Sequence, residues 1–328
     1  MMQKTDRHFR YLARLLIPAA RLYTEMITAR AILRGRREDL LGYDVAEQPL
    51  AVQLGGSSPA ELAAAARVCA DYGYAEVNLN CGCPSDRVQA ADFGACLMAR
   101  PALVADCVKA LQDALPSVIP VTVKTRLGID DLYSYAYFRD FIGALYSADC
   151  RVFHVHARKA WLCGLSPRAN REIPPLEYAW VYRLKQEFPQ AVIVINGGIA
   201  SVGAARTHLA RVDGVLGRAA YADPFALTAY QALLFPPAAT VPPLSRLQAL
   251  AAYLPYVESA LAGGTELRHL SRHLLTLFQG QPHGRHWRHY LTVHGTARGA
   301  GLEVLEQARQ MMLASVVAAS DARTVEHL

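Results

Sequence analysis

Apolar and β-branched runs recur along the first two-thirds of the chain, at Leu22–Ile27, Leu50–Gly56, Ala75–Asn80, Pro120–Lys124, Arg151–Ala157, Ala191–Gly198 and Val212–Gly217. Each has the length of one strand, and Ala-, Leu- and Arg-rich stretches of helical character separate them. One such stretch, Pro59–Tyr72, opens on Ser58 with Glu61 three residues later, the pattern of a capping box. Strand and helix in alternation predict a parallel sheet. Seven strands are one short of an eight-stranded barrel. The missing first strand should precede the helix around Asp6–Leu16, where only Met1–Thr5 is left for it. The expectation is an α/β fold, a TIM-type (β/α)8 barrel whose first strand is short or truncated, with an open seven-stranded sheet as the competing reading. Four prolines in Phe235–Leu244 then mark a boundary, since they suit neither helix interior nor central strand. Beyond it only helical patterns follow: Ser245–Leu261, Thr265–Phe278, Arg285–His294 and Gly301–Ala318. The chain therefore reads as a barrel over 1–235, a Pro-rich linker over 236–244 and a small all-helical domain over 245–328.

Side chains alternate faces along a strand. Val77 and Leu79 oppose Glu76, Asn78 and Asn80; Val121 and Val123 oppose Thr122 and Lys124; Phe153 and Val155 oppose His154 and His156; Ile193 and Ile195 oppose Val194 and Asn196. The apolar face must pack on the outer helices. Asn80, Lys124, His156 and Asn196, with Gln53 in the same phase, therefore point inward near the C-terminal ends of their strands. An ordinary barrel interior is aliphatic there, so polar residues converging at that mouth predict a binding site. Counting the missing strand as the first, Asn196-Gly197-Gly198 ends the seventh and Gly217-Arg218 the eighth. Loops at those positions hold phosphate in this architecture. No Rossmann glycine fingerprint or P-loop is present. Asn80-Cys81-Gly82-Cys83-Pro84 follows the fourth strand. Cys-x-Cys suits zinc poorly and no second Cys pair completes it, so no metal site is expected; a mouth-loop cysteine is placed for acid or nucleophile chemistry. His154-x-His156 lacks the matching Asp of a metal-dependent hydrolase, and His269 with His273 reads as a surface pair.

Composition narrows the class. The 328 residues are 52% hydrophobic and 19% charged, which excludes a disordered chain. No apolar run approaches the roughly 18–20 residues of a membrane span, and no signal-peptide pattern opens the chain. The seven cysteines read as reduced thiols of a cytoplasmic protein. The net charge of +6 matters through its distribution. Between Glu266 and Glu303 there is no acidic residue, while Arg268, Arg272, Arg285, Arg288, Arg298, six histidines, Phe278, Trp287 and Tyr290 fall there. A solvated helix face mixes signs; this window fits a phosphate-tracking surface with an aromatic for stacking.

Seven segments in order carry a resemblance: QLGG at Gln53–Gly56, NLNCGCPSDRV at Asn78–Val88, FGACLM at Phe93–Met98, VTVKTRLGID at Val121–Asp130, HARKAWLCGLSP at His156–Pro167, NREIPPL at Asn170–Leu176 and INGGI at Ile195–Ile199. Together they resemble the flavin-dependent tRNA-dihydrouridine synthases, specifically the A-type bacterial subfamily. The resemblance implies FMN, NADPH as reductant, and tRNA as substrate, with uridine reduced to 5,6-dihydrouridine at D-loop positions 20/20a. It makes Cys83 the acid that protonates C5, a thiol being largely protonated at neutral pH, and Cys96 a packed residue. It makes Gln53, Lys124 and His156 contacts of the flavin ring and ribityl chain. Asn196, Gly197, Gly198, Gly217 and Arg218 hold the phosphate. Asn80 touches the flipped uridine, while Arg168, Arg171, Arg285 and Arg288 contact tRNA. No protein partner is implied, and a monomer is expected. The chain departs from the family in its first strand and in Asp213–Arg218, which is one residue shorter than the family's eighth strand. The alternative reading is a tRNA-binding paralogue with impaired FMN binding and no activity.

Overall fold

The computed structural model describes residues 2–217, 219–235 and 242–325. They fall into two compact units. One holds Met2, Gln3 and the chain from Arg21 to Gly217; the other holds Lys4–Ala20 and the chain from Ala219 onward.

The first unit is built on one parallel sheet of seven strands in sequential order. These are β1 Leu22–Thr28, β2 Leu50–Gly55, β3 Glu76–Cys81, β4 Val121–Arg126, β5 Val152–His156, β6 Val192–Asn196 and β7 Gly214–Leu216. Sequential parallel order with intervening helices is the wall of a β/α barrel. The strands correspond to the expected second to eighth. No strand lies among the described residues before the first helix, Arg7–Leu16. The register sets Gln53 beside Asn78, Asn80 beside Lys124 and His156 beside Asn196.

Parity decides which side chains meet the helices. Val77, Leu79, Cys81, Val123, Phe153, Val155, Ile193 and Ile195 are buried. So are Leu62, Ala65 and Cys69 of helix Pro59–Asp71, Val104, Val108 and Leu111 of Pro101–Ala114, and Phe138, Ile142 and Leu145 of Tyr135–Ser147. Each Leu, Ile or Phe so buried contributes roughly 1.5–3 kcal/mol. At Ser58 half of the expected capping box forms: the hydroxyl accepts from the Glu61 N–H, but the Glu61 carboxylate turns to Arg30, 3.0 Å away.

The second unit is discontinuous in sequence, which differs from the expected boundaries. Helix Arg7–Leu16 does not serve as a barrel helix. Its apolar stripe, Phe9, Leu12, Ala13 and Leu16, is buried in the helical unit. Tyr11 stacks on Tyr256 with ring centroids 4.0 Å apart, and His8 shares a 2.8 Å hydrogen bond with the Tyr256 hydroxyl. Asp6 caps the helix through the Phe9 N–H and pairs with Arg272 and His273, the nearer His273 contact at 2.9 Å. Arg14 is buried, and its guanidinium closes the C-terminal turn on the Pro18 and Ala20 carbonyls. The expected domain start at 245 therefore omits 4–20 and 219–235; of the expected linker, residues 236–241 lie outside the described residues.

The tail also differs in detail. The stretch Thr265–Phe278 forms only a short helix, Leu267–Ser271, followed by turns. His273 is buried rather than on the surface. Trp287 is not a stacking surface: it is 1% exposed, its indole N–H donates to the Leu274 carbonyl at 2.8 Å, and its ring meets Phe278 at 4.7 Å. An indole at every-fourth-residue spacing with Leu291 forms the inner stripe of helix Gly284–His294, leaving Arg285 and Arg288 exposed. Among the described residues no helix is long and apolar enough to cross a membrane. Replacing Trp287 with Ala is expected to cost about 3–5 kcal/mol in urea unfolding of the helical unit; a loss below 1 kcal/mol contradicts its place in this core.

Candidate active site

The inner face of the sheet carries a run of buried polar groups. Tyr23, Glu76, Thr122 and His154 form its floor: the Tyr23 and Thr122 hydroxyls both donate to Glu76 Oε1, at 2.8 and 2.6 Å, and Arg21 donates to Oε2 at 2.7 Å. Burial holds His154 neutral, its pKa lowered to about 4 despite Glu76 nearby. Burial and the adjoining Glu76 push the Tyr23 hydroxyl far above its ordinary value. Above the floor, Asn78 Nδ2 donates to Thr122 Oγ1, Gln53 Nε2 to Asn78 Oδ1, and Asn80 Nδ2 to Gln53 Oε1, at 2.7, 2.7 and 2.8 Å.

Asn80 then organises the loop that follows β3. Its Oδ1 accepts from the N–H groups of Gly82 and Cys83, at 3.1 and 3.0 Å, an Asx turn. The Cys83 carbonyl accepts from Ala95 N at 2.9 Å. Gly94 makes that approach possible, because a Cβ there would lie 2.6 Å from the Cys83 oxygen. Cys83 is thus fixed at both ends of its peptide unit, half-buried, with Sγ 3.7 Å from Ser85 Oγ. Two other thiols nearby are inert by environment. Cys81, two residues earlier, is wholly buried on the outward face, which raises its pKa well above the usual range. Cys96 donates to the Phe93 carbonyl at 3.1 Å, and burial raises it too.

Across the mouth, Lys124 Nζ donates to Asn196 Oδ1 at 3.2 Å, and Asn196 Nδ2 donates to the Leu216 carbonyl at 2.7 Å. Burial, then the neighbouring Arg126, lowers the Lys124 pKa to about 8. His156 is buried beside Asn196, and a Cβ on Gly197 would come within 2.9 Å of its ring. Gly197 and Gly198 take φ of +118° and +67°, a turn that side-chain-bearing residues rarely adopt. Gly217 directly follows β7; Arg218 lies outside the described residues. The structure thus links Gln53, Asn80 and Cys83, and joins Lys124 to Asn196.

Arg126 and Asn170 complete the mouth and were not expected. Arg126 shares the phase of Lys124 two residues earlier, and that parity could have exposed it. It is 3% exposed, and its guanidinium donates to the carbonyls of Gly82, Lys159 and Asn170 at 2.9, 3.1 and 2.9 Å. It ties the Cys83 loop to the loop after β5. Asn170 in turn bridges the Trp161 and Leu165 backbones. On either side of it, Arg168 is exposed, 3.4 Å from Glu172, and Arg171 is half-buried.

The family model for dihydrouridine synthase (Dus) matches residues 1–313. The chain belongs to the dihydrouridine synthase family. A tRNA-dihydrouridine(20/20a) synthase of Xanthomonas campestris pv. campestris is 55% identical over 311 residues, covering 94% of this chain and 91% of that protein. One from Shewanella oneidensis is 51% identical over 319 residues, covering 97% and 94%. Among solved structures, morphinone reductase in complex with tetrahydroNAD aligns at TM-score 0.50 and 12% identity over 70% of this chain and 82% of that one. A 2-naphthoyl-CoA reductase complex aligns at 0.51 and 12%, over 68% and 46%. At this identity the two reductases attest the fold alone, and with the family membership the seven-stranded wall is that of a TIM-type barrel.

The site's cation yields a pH test. The unfolded chain keeps the lysine proton up to about pH 10.5, whereas the folded family member releases it near pH 8. Stability therefore rises with pH across that window, and the cost of the buried charge is fully present below it. Replacing Lys124 with Met should remove this rise, read as the difference between wild type and variant in urea unfolding at pH 7.5 and pH 10. Parallel pH dependences contradict the burial of this charge.

Proposed function

We propose that the chain is a cytoplasmic, NADPH-dependent, FMN-containing tRNA-dihydrouridine synthase that reduces uridine at positions 20 and 20a of the D loop. The observation that carries the reading is the fixed Cys83 loop at the rim of a polar barrel mouth that also presents Lys124. Family membership and the names of relatives at 50–55% identity support it; nothing favours an inactive paralogue.

The donor set fits a flavin mononucleotide. Gln53, Lys124 and His156 offer amide, ammonium and imidazole groups to a heteroaromatic ring. Lys124 is a half-buried cation hydrogen-bonded to an amide oxygen, an arrangement that suits an electron-rich ring. Asn196, the backbone amides of Gly197, Gly198 and Gly217, and Arg218 would hold the phosphate. Bound there, the flavin supplies a hydride, drawn from NADPH, to C6 of the uracil.

The chain's own residues do the rest. Cys83 Sγ delivers a proton to C5, so the C5=C6 double bond becomes a single bond, and solvent returns the thiol proton. Asn80 holds the Cys83 backbone in place and meets the base. A stacked base cannot reach the bottom of a barrel mouth, so the nucleotide is extruded into it. Arg168, Arg171, Arg285 and Arg288 bind the tRNA backbone. The last two lie three residues apart on the exposed face of their helix, opposite Trp287 and Leu291.

The first test is the visible spectrum of the purified chain. A flavin band near about 450 nm, released as FMN on denaturation, is expected. Cys83→Ala should keep that band and tRNA binding, yet fail to convert uridine to dihydrouridine in an NADPH-driven assay read by nucleoside mass spectrometry. A colourless protein that cannot be reconstituted refutes the cofactor, and full activity of the variant refutes the acid. Separately, replacing Arg285 and Arg288 with Ala should weaken tRNA binding and reduce the slope of log affinity against log salt by about one per arginine. An unchanged slope refutes their role.

A further inference from the structure

The hydrogen bonds from the barrel floor to the Cys83 loop run in one direction. Starting at the loop, the Gly82 and Cys83 N–H groups can only donate, so Asn80 must turn its oxygen to them. Asn80 Nδ2 then faces Gln53 Oε1, Gln53 Nε2 faces Asn78 Oδ1, and Asn78 Nδ2 faces Thr122 Oγ1. Having accepted from Asn78, the Thr122 hydroxyl points its one proton onward, to Glu76 Oε1 at 2.6 Å. A chain in which every member passes a donor downward must end on a group that only accepts. Glu76 is that group: Thr122, Tyr23 and Arg21 all donate to it, which is the partner set of an ionised carboxylate. It is 2% exposed, and Asn78 and Thr122 are fully buried, so water cannot substitute for a lost partner there without rearrangement.

We infer that Glu76 is a positioning residue for Cys83: as the terminal acceptor of the Thr122–Asn78–Gln53–Asn80 chain, it fixes which way each amide faces and so holds the loop that carries the thiol. If the terminal acceptor is lost, each amide can reverse. Reversal at Asn80 sets its Nδ2 against the Gly82 and Cys83 N–H groups, donor against donor, and releases the loop. Tyr23 and Arg21 keep Glu76 saturated with donors, and His154 completes the floor through its 3.2 Å contact with the Tyr23 hydroxyl. Only the significance of holding Cys83 rests on the function proposed above, and the test uses neither tRNA nor NADPH, so the two can fail separately.

The test reads the far end of the chain. Thr122→Val is nearly isosteric but cannot bridge Asn78 to Glu76, whereas Thr122→Ser can. In the purified full-length protein, Thr122→Val should accelerate residue-resolved hydrogen exchange of the Gly82 and Cys83 amides by about tenfold, equivalent to about 1.4 kcal/mol of local protection. It should also speed alkylation of Cys83 by iodoacetamide severalfold, measured on its own peptide, while amides of β5 and β6 keep their wild-type exchange. Thr122→Ser should restore both. Glu76→Leu, which removes the acceptor itself, should reproduce the Thr122→Val effect or exceed it; should it fail to fold, the Thr122 pair decides alone. Unchanged loop amides in Thr122→Val overturn the inference. So does acceleration spread evenly over the sheet, which marks general destabilisation, or failure of Thr122→Ser to restore the loop.

Discussion

A carboxylate buried on the inner face of a parallel sheet is the constraint on which the rest of the site depends. Glu76 is almost wholly out of water, and an isolated charge there would be prohibitively costly. Three donors offset that cost, Arg21 from one side and the Tyr23 and Thr122 hydroxyls from within. Breaking one side of such an arrangement leaves an uncompensated charge, so β1, β3 and β4 are tied together more specifically than aliphatic packing alone would achieve. The three amides stacked above it spread this order toward the mouth.

The mouth repeats the same logic with a cation. Arg126 directs its guanidinium to three backbone carbonyls. The Gly82 and Lys159 carbonyls lie in irregular loop backbone, and the Asn170 carbonyl lies in the short 3-10 turn Ala169–Arg171. One fork thereby binds the segment after β3 to two points on the segment after β5. Lys124, two residues earlier on the same face, is held by an amide oxygen. The division of labour follows from chemistry: the planar guanidinium suits several fixed acceptors, whereas the ammonium is a compact charge that burial drives toward neutrality.

The helical unit follows a different rule. Its first helix is supplied from the opposite end of the chain, and Asp6, His8 and Tyr11 all find partners more than two hundred residues away. Helix Gly284–His294 shows how a basic surface can be built on a core: Trp287 and Leu291 anchor one side, and Arg285 and Arg288 are thereby presented on the other. Trp287 serves the fold, and the arginines are left for solvent or ligand.

The strands, their parallel order and the face on which each polar residue lies are legible in the chain's own alternation of apolar and polar residues. Those properties rest on a two-residue period and on local alternation, and neither needs a distant partner. Gln53, Asn80, Lys124 and Asn196 could therefore be assigned inward without coordinates, and the long motifs around Cys83 and Lys124 made the family legible. Which unit takes the helix Arg7–Leu16 is settled by the folded chain, because its apolar stripe fits any buried surface and the choice is made by contacts remote in sequence. The folded chain also decides that Trp287 and His273 are interior, that Cys81 is a core thiol while Cys83 is held at the rim, and that Glu76 and Arg126 organise the loops. A sequence window shows that such groups are polar and share a face; which donor meets which acceptor is fixed by strand register and loop closure, where a shift of one residue would change every partner.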